Sequence, residues 1–364
     1  MTTRSRHIRK RLLRNKGALF GLTVIGLSIL TAVFAYFLAP DGSPDANRII
    51  VEIGGRPPGF RQLFLPVRKE RLPPPVGFFH RLVSGREDRY DYIPINSAVA
   101  KGDSLIVQKF VDEDVEERRA WPLSAILSDR PSWTDKHGTV AITFWLGTDK
   151  YGRDILSRLL IGVRVSLAVG LVTVLLSLSV GVLLGALAGY YGGRVDEVIL
   201  WLINVIWSIP TLLLVFAIMF LLGKGFWQVF IAIGLTLWVN VARIVRGQVL
   251  AIREREYVEA ARTLGYSHLR ILFLHILPNV MGPVWVIAAS NFASAIVIEA
   301  GLSFLGVGVQ PPQPSWGLMI KENYNFIITH NPMLALAPGL AIMLLVLAFN
   351  LLGNSLRDIL NVRN

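Results

Sequence analysis

Six long runs of residues without a formal charge constrain this chain more than any other feature of its sequence. They cover residues 17–39, 165–189, 198–223, 225–242, 280–298 and 332–356. A helix of about 18 or more residues crosses a hydrocarbon core of about 30 Å, since each residue adds about 1.5 Å. Backbone amides in lipid must be hydrogen-bonded within the segment, so we expect helices. The sequence therefore predicts an all-α integral membrane protein with six transmembrane helices.

The composition excludes an ordinary soluble domain. Of 364 residues, 53% are hydrophobic and only 17% are charged, and the mean hydropathy is +0.51. The chain contains no cysteine, so disulfides, thiolate nucleophiles and cysteine-ligated metals are excluded. The run over 17–39 is too long for a cleaved signal peptide, and we expect it to be the first transmembrane helix.

The distribution of basic residues predicts the orientation. The segment before the first run contains no acidic residue. Its basic residues are Arg4, Arg6, Arg9, Lys10, Arg11, Arg14 and Lys16. This bias places residues 1–16 in the cytoplasm as a basic tail. Such a tail attracts anionic lipid, and a nucleic-acid-binding arm is the rival interpretation of the net charge of +12.

Six crossings from a cytoplasmic start also fix the sides of the loops. Residues 40–144 fall outside, and the C-terminus returns to the cytoplasm. The loop over 250–278 falls inside and carries four arginines, which agrees with the charge bias.

The loop over 250–278 has a distinctive pattern. Tyr257, Ala260, Ala261 and Leu264 recur at helical spacing and predict one narrow apolar face, which suits a groove on a partner. Gly265 supplies the left-handed conformation that ends a helix, so we expect a short helix pair broken there. Glu259 and Arg262 flank the apolar face and are available to pair across an interface. Pro278 suits the first turn of the next transmembrane helix. An ordinary interfacial linker is the alternative.

This pattern resembles the EAA loop of the permease subunits of ATP-binding-cassette (ABC) importers. The ending His275-Ile276-Leu277-Pro278-Asn279 is similar to the dipeptide, oligopeptide and nickel branch of that family. The resemblance implies a MetI-like core over 145–364 with coupling loop 250–278. Its five transmembrane helices are expected at about 165–189, 198–223, 225–249, 279–299 and 332–356. The residues expected to couple to the ATPase are Tyr257, Glu259, Ala260, Ala261, Arg262, Gly265, Leu277 and Pro278.

Further matches lie elsewhere in the core. The segments 146–167 and 189–196 resemble the family's approach to its second helix and the turn after it, and Ile209-Pro210 is expected to kink a span. An outer loop is expected to contact a binding protein through Glu299, Pro311, Pro312, Pro314, Ser315, Trp316 and Gly317. Glu299 ends a spanning run, so two roles are possible for its carboxylate: a proton relay, or pairing with a loop backbone near the outer gate.

Residues 40–144 depart from the family pattern. They contain Pro57-Pro58, three prolines at 73–75 and an acidic patch over 112–117. Candidate strands over 104–111 and 139–145 predict a partly β extracytoplasmic cap. It could contact a binding protein, influence substrate choice or pack on a paired permease.

The resemblance implies that the chain forms half of a peptide pathway in the bacterial cytoplasmic membrane. Its expected partners are a second permease, two ATPases, an external binding protein and lipid, without nucleic acid. The chain has no phosphate-binding P-loop, so ATP and Mg²⁺ belong to the ATPases, and we expect no cofactor, metal or catalytic residue here.

Nickel or another small solute is the alternative cargo. An ATP-independent transporter and a membrane hydrolase are the rival classes, but the six histidines show no catalytic spacing.

Overall fold

The computed structural model describes most of the chain as two compact units. The described residues are 11–12, 14–101, 104–112, 115–122, 138–223, 225–329 and 331–360. Most of the basic tail predicted over 1–16, part of the acidic patch and the last four residues lie outside them. Unit 1 comprises Met1–Ile29, Val165–Gln310 and Ala341–Asn364, and unit 2 comprises Leu30–Arg164 and Pro311–Leu340.

Helices form most of the described chain. In chain order they are α1 (Lys16–Leu38), α2 (Phe78–Ser84), α3 (Ile155–Tyr191), α4 (Gly193–Trp207), α5 (Thr211–Leu222), α6 (Phe226–Arg253), α7 (Glu256–Thr263), α8 (His268–Leu305), α9 (Trp316–Asn323), α10 (Phe326–Thr329) and α11 (Met333–Leu360). Helix α8 includes a π-helical stretch, Ile271–Ile276. Short 3₁₀ turns, Pro44–Ala46 and Val51–Ile53, follow α1.

Five of these helices are long and apolar enough to cross a membrane: α1, α3, α6, α8 and α11. Helices α4 and α5 pass the same test only as a pair, and they meet at an angle of 95°. The run predicted as one span over 198–223 therefore consists of two helices, and the described residues contain five spans, or six if this bent pair is one span. The expected kink at Pro210 is a sharp bend, because a proline cannot donate the backbone hydrogen bond that continues a helix.

Unit 1 is organised around α6, whose buried side chains face several helices at once. Its Val229, Phe230 and Ile233 form one buried cluster with α3, α5 and α8 residues. Val245 and Val249 form a second cluster nearer the end of α6. Helix α6 is thus the central helix of this unit.

A seam of small residues brings α3 against α6. Gly181, Gly185 and Gly189 recur every fourth residue, so they lie on one face of α3. A Cβ at Gly185 would lie 2.5 Å from the backbone oxygen of Ala242, and the other two glycines are equally close to α6. Lipid supplies no hydrophobic drive for helices to associate, so such close approach is a main source of packing energy.

A polar contact crosses the same unit. Asn291 of α8 donates to Ser177 Oγ of α3 and to the backbone oxygen of Leu237 of α6, both at 3.4 Å. All three groups are buried. A buried amide needs such partners, and the contact therefore fixes the register of α8 against its neighbours.

Unit 2 contains an antiparallel five-stranded sheet of order β4-β3-β2-β1-β5. The strands are β1 (Phe60–Arg68), β2 (Tyr90–Lys101), β3 (Ser104–Asp112), β4 (Val115–Pro122) and β5 (Val140–Phe144). The strands predicted over 104–111 and 139–145 are confirmed as β3 and β5. Strand β1 is buried on both faces, since Phe64 packs in one cluster and Leu65 in another.

The start of α3 is held by a buried polar network in unit 2. Asp154 precedes the helix and accepts a hydrogen bond from Ser157 N at 2.9 Å, which caps the first turn. Burial raises the pKa of Asp154, and the hydrogen bonds from Ser157 oppose this effect. Arg153 donates to Asp149 at 2.6 Å and to Glu322 at 2.8 Å. These ion pairs connect the segment to α9.

We predict that Gly152→Ala destabilises unit 2 more than Gly59→Ala does. Both glycines have positive φ, +73° and +81°, so both substitutions carry a backbone strain of about 1–2 kcal/mol. Only at Gly152 would the new Cβ also clash, 1.7 Å from the backbone oxygen of Ile50, whereas Gly59 faces open space. Limited proteolysis of the purified chain measures the difference. Equal protection of both variants would contradict this assignment.

A second pair of variants tests the seam. Gly185→Val should lower the thermal unfolding midpoint in detergent, since overpacking costs about 1–3 kcal/mol. Gly247→Val is the matched control within a helix of the same unit, because nothing lies within 4 Å of a Cβ there. If the two midpoints fall together, helix propensity and not the seam determines the loss.

Candidate coupling site

The candidate site is helix α7 and the turns on either side of it. Helix α6 ends at Arg253, and α7 begins after a turn of two residues. It ends in a Schellman motif, in which Tyr266 N donates to Ala261 O at 3.2 Å and Gly265 N to Arg262 O at 2.9 Å. Gly265 has a φ of +76°. Gly265 therefore ends α7 in the left-handed conformation that the sequence predicts.

The second half of the expected helix pair is not a separate helix. After Gly265, the Ser267 hydroxyl accepts a hydrogen bond from Arg270 N at 3.4 Å and caps α8. Helix α8 then begins at His268, eleven residues before the start predicted at 279, and Pro278 lies just after its π-helical stretch. The predicted start was placed at the beginning of the uncharged run over 280–298, whereas the helix itself extends further towards the N-terminus.

Two faces of α7 have different surroundings. Val258 and Ala261 are buried and pack against Ile271, Leu272 and other side chains of α6 and α8. Tyr257 and Leu264 are 45% and 71% exposed. The small side chain of Ala260, between them on the helix surface, is also exposed.

The predicted apolar face is therefore divided. Ala261 packs α7 against its own unit, together with Val258, which lies outside the predicted face. Tyr257, Ala260 and Leu264 form an uncovered strip, which we call the α7 strip. Its spacing of three and four residues keeps the three side chains on one side of the helix.

A groove of about 590 Å³ lies beside α7. Its lining residues come from the end of α3, the end of α6, α7 and the start of α8, namely Tyr190, Tyr191, Arg253, Glu254, Glu259, Arg262 and His268. Tyr190 and His268 share a hydrogen bond of 2.9 Å, and the Arg262 guanidinium lies 5.7 Å from the Tyr190 ring centroid. Glu259 and Arg262 are both exposed at this groove.

Arg253 joins the groove to the end of α3. Its Nη1 donates to the backbone oxygens of Gly189 and Tyr190 at 3.2 and 3.1 Å, which satisfies carbonyls that the helix end leaves open. Asp196 pairs with Arg246 through two hydrogen bonds, one of them 2.6 Å. The turn around Gly192, the end of α6 and α7 therefore form one connected surface.

The remaining coupling residues have supporting positions. The Tyr257 hydroxyl accepts a hydrogen bond from Asn279 Nδ2 at 3.3 Å. Leu277 is half-buried beside the Val258 cluster, and Pro278 is exposed. The ring of His275 stacks on Tyr266 with centroids 5.8 Å apart.

Most residues of the predicted outer contact surface are buried in the structure. In unit 1, Glu299 is 1% exposed and accepts a hydrogen bond from Ser303 at 2.6 Å. Ser303 in turn accepts from Val309 N, so these residues fold the turn after α8 back on itself. A buried carboxylate offers no surface to a docking protein.

In unit 2 the proline-rich loop is also mostly buried. Trp316 is 3% exposed, packs on Gly162 and donates to the backbone oxygen of Leu159 at 3.0 Å. Ser315 caps α9 by accepting a hydrogen bond from Leu318 N at 3.1 Å. Pro314 and Gly317 are buried too, and of the predicted loop residues only Pro311 and Pro312 are exposed. The others stabilise the loop itself.

The α7 site consists of a short helix with one buried face and one uncovered face. Among the described residues, no three His, Asp or Glu side chains group as metal ligands. A small helix is instead clamped by its inner face to two long helices and presents its outer face uncovered. This arrangement defines the class of protein, a polytopic membrane protein with a short helix whose outer face is uncovered at one end of its helical unit.

Comparison with known proteins supplies the family. Residues 181–364 match the family described as binding-protein-dependent transport system inner membrane component. Residues 3–51 match the N-terminal transmembrane domain of oligopeptide transport permease C. The chain belongs to the former family, which comprises the permease subunits of ABC importers.

Individual relatives agree with this assignment. The chain is 42% identical over 217 residues to the oligopeptide transport system permease protein OppC of Bacillus subtilis, covering 60% of this chain and 71% of that protein. It is 44% identical over 231 residues to the di/tripeptide permease DppC of Pseudomonas aeruginosa, covering 64% and 75%. The glutathione permease GsiD of Pectobacterium atrosepticum is 43% identical over 217 residues, covering 60% and 72%.

Among solved structures, an inward-facing MetNI methionine ABC transporter is similar, with 19% identity and a TM-score of 0.48. The similarity covers 56% of this chain and 97% of that one.

We predict that the end of α7 tolerates Gly265→Asn better than Gly265→Val. A Cβ at this position meets nothing within 4 Å, so the positive φ alone determines the cost. Asparagine adopts the left-handed conformation far more readily than a β-branched residue does. Hydrogen exchange of residues 256–266 should speed up in the valine variant by about tenfold, for a strain of about 1–2 kcal/mol. Equal exchange in both variants would contradict the Schellman assignment.

Proposed function

We propose that this permease forms half of the translocation pathway of a peptide importer and is driven through α7 by a separate ATPase. The observation that carries this proposal is the uncovered α7 strip on a helix whose opposite face is buried. An amphipathic helix that lays exposed anchors into a partner's groove is a common docking mode. The small side chain of Ala260 allows the partner to approach the helix backbone closely.

The packing of α7 supports a lever-like transmission. Val258 and Ala261 join α7 to α6 and α8 in one buried cluster, and close-packed interiors transmit displacement with little compression. ATP binding would draw two ATPases together, and each would carry its α7 with it. The attached helices would then rock and expose the pathway outward. Coupling of this kind is reciprocal, so a loaded binding protein should favour the same state as ATP.

A cleft in unit 1 that combines polar and apolar side chains supports peptide as the cargo. The cleft, of about 460 Å³, lies between α6, α8 and α11. Its polar lining residues are Gln248, Ser290, Asn350, Asn354 and Arg357, and its apolar ones include Ile244, Val286, Ile287 and Leu360. Amide and hydroxyl groups exchange hydrogen bonds with a peptide backbone, and a guanidinium pairs with a terminal carboxylate. The names of the relatives, which refer to oligopeptides, di/tripeptides and glutathione, point the same way. Nickel or another small solute is the alternative cargo.

The complete importer would contain this chain, a homologous permease, two ATPases and an external binding protein in the bacterial inner membrane. Both termini of the chain would be cytoplasmic. In support, the α3–α4 turn lies against the α7 segment, and Gly17 at the start of α1 lies beside Leu351 near the end of α11. The exposed Pro311 and Pro312 remain available to the binding protein. Glu299 would act inside its unit, as a positioning group for the turn after α8.

The test removes one anchor from the α7 strip without disturbing its core. Leu264→Asp places a charge on a side chain that is 71% exposed, so folding should be retained. Purified from its native membrane, this variant should lose the ATPases that accompany the unaltered chain. Uptake of a labelled tripeptide by the whole system should fall by about tenfold or more, which corresponds to about 1.4 kcal/mol of docking energy.

Leu72→Asp is the matched control, an exposed leucine of the insertion, and it should leave both readouts unchanged. If the Leu264→Asp variant retains the ATPases, the proposal that α7 is the docking element is contradicted. Uptake that continues without ATP would favour an ATP-independent transporter. Uptake of nickel and not peptide by an intact complex would change the cargo alone.

A further inference from the structure

Four of the seven residues of helix α2 in unit 2 are apolar, yet none of the seven is buried. Phe78, Phe79 and Val83 are 60%, 79% and 62% exposed. Phe79 and Val83 are four residues apart and therefore lie on the same face. Two exposed phenylalanines and a valine within one short helix are costly in water.

The position of α2 indicates what covers it. The ring of Phe78 lies 5.4 Å from that of Phe37, and the Arg81 guanidinium lies 4.4 Å from the Phe37 ring centroid. Phe37 is in the last turn of α1, which ends at Leu38. A spanning helix emerges from the hydrocarbon at its end, so α2 lies at the level of the membrane interface. Aromatic side chains and arginines are both typical of that layer.

Helix α2 is also fastened at this level. Arg164, which directly precedes the apolar run of α3, donates to the backbone oxygen of Val83 at 2.8 Å. Gly85 ends the helix with a φ of +78°, and a Cβ there would lie 2.8 Å from the Tyr36 ring. Arg86 N then donates to Gly42 O at 2.9 Å. These contacts fix the position of α2 and its exposed apolar face relative to the end of α1 and the start of α3.

A basic cleft of about 260 Å³ adjoins α2. Four arginines line it, Arg48, Arg81, Arg86 and Arg89, with Asp88 as their one acidic neighbour in the lining. Arg48 is already paired with Asp88, at 2.6 Å. Within the part of the chain that the structure describes, the other three arginines form no ion pair. The cleft thus has an excess of positive charge beside an apolar surface.

We propose that α2 and this cleft bind an anionic phospholipid of the surrounding membrane. The phenylalanines of α2 enter the boundary between headgroups and acyl chains, and the cleft arginines hold the headgroup phosphate. Arginine forks match phosphate oxygens, and basic groups beside an interfacial helix favour anionic lipid. The site anchors the start of the insertion to the bilayer, beside the first transmembrane helix.

A lipid titration followed by native mass spectrometry tests the charge recognition. The full chain in mild detergent should retain phosphatidylglycerol at least about tenfold better than phosphatidylcholine, since three arginines contribute. The variant R81A/R86A/R89A should lose that preference. R61A/R118A/R119A carries the same change of charge on exposed sheet arginines and should keep it. Free inorganic phosphate should not displace the lipid.

A second measurement tests the insertion of α2. Because the chain has no cysteine, Phe79→Cys, Val83→Cys and Ser84→Cys each place one environment-sensitive probe on a known position. In bilayers, the probes at 79 and 83 should be shielded from aqueous quenchers and the probe at 84 should not.

The proposal is overturned if the cleft variant keeps the lipid preference of the unaltered chain. It is also overturned if all three probes are equally accessible to water, or if inorganic phosphate competes fully with the lipid. Comparison of the three labelled chains needs no arginine substitution, so a folding defect in the triple variant cannot hide the result.

Discussion

Close contact between α3 and α6 is the interaction on which the rest of unit 1 depends. Helices in lipid associate through packing and polar contacts, and the seam of Gly181, Gly185 and Gly189 allows the two backbones to approach. The last seam residue, Gly189, lies beside Val249 and also accepts a hydrogen bond from Arg253. The seam therefore leads directly into the groove beside α7. Its packing determines where α6 ends and hence where α7 is presented.

The α7 strip follows from that placement. Val258 and Ala261 use the inner face of α7 to pack on α6 and α8, and this leaves Tyr257, Ala260 and Leu264 without cover. The inner face holds α7 against its unit, and the outer face is accessible to another protein. In the proposed function, this uncovered face is the surface on which the ATPase of an ABC importer would dock. The insertion in unit 2 is a separate structural element with its own sheet and two-sided core.

Local backbone rules predicted several elements well. The uncharged runs identified the long helices, Gly265 identified the end of α7, and the candidate strands over 104–111 and 139–145 correspond to β3 and β5. These features are encoded within a few neighbouring residues. The glycine seam was also readable as a spacing of four, but its partner helix was not, since pairing depends on the tertiary structure.

Other features could not be predicted because distant residues decide them. Strands β1 and β2 contain Pro66 and Pro94, which argue against inner strands, yet pairing on both sides places them there. Trp316 looked like a surface anchor, but Gly162 provides a site that buries it. Likewise, spacing alone could not tell that Ala261 packs inward while Ala260 faces outward. Only the position of α8 distinguishes these two neighbours.

Those two alanines also allow the most direct measurement. Because the chain has no cysteine, Ala260→Cys and Ala261→Cys can each be cross-linked in the assembled importer through a single thiol. Ala260 is exposed and Ala261 is 4% exposed. The account predicts an ATP-sensitive cross-link to a P-loop ATPase from position 260 and none from position 261. Equal cross-linking from both positions, or no cross-link from position 260 in a complex that transports, would contradict it.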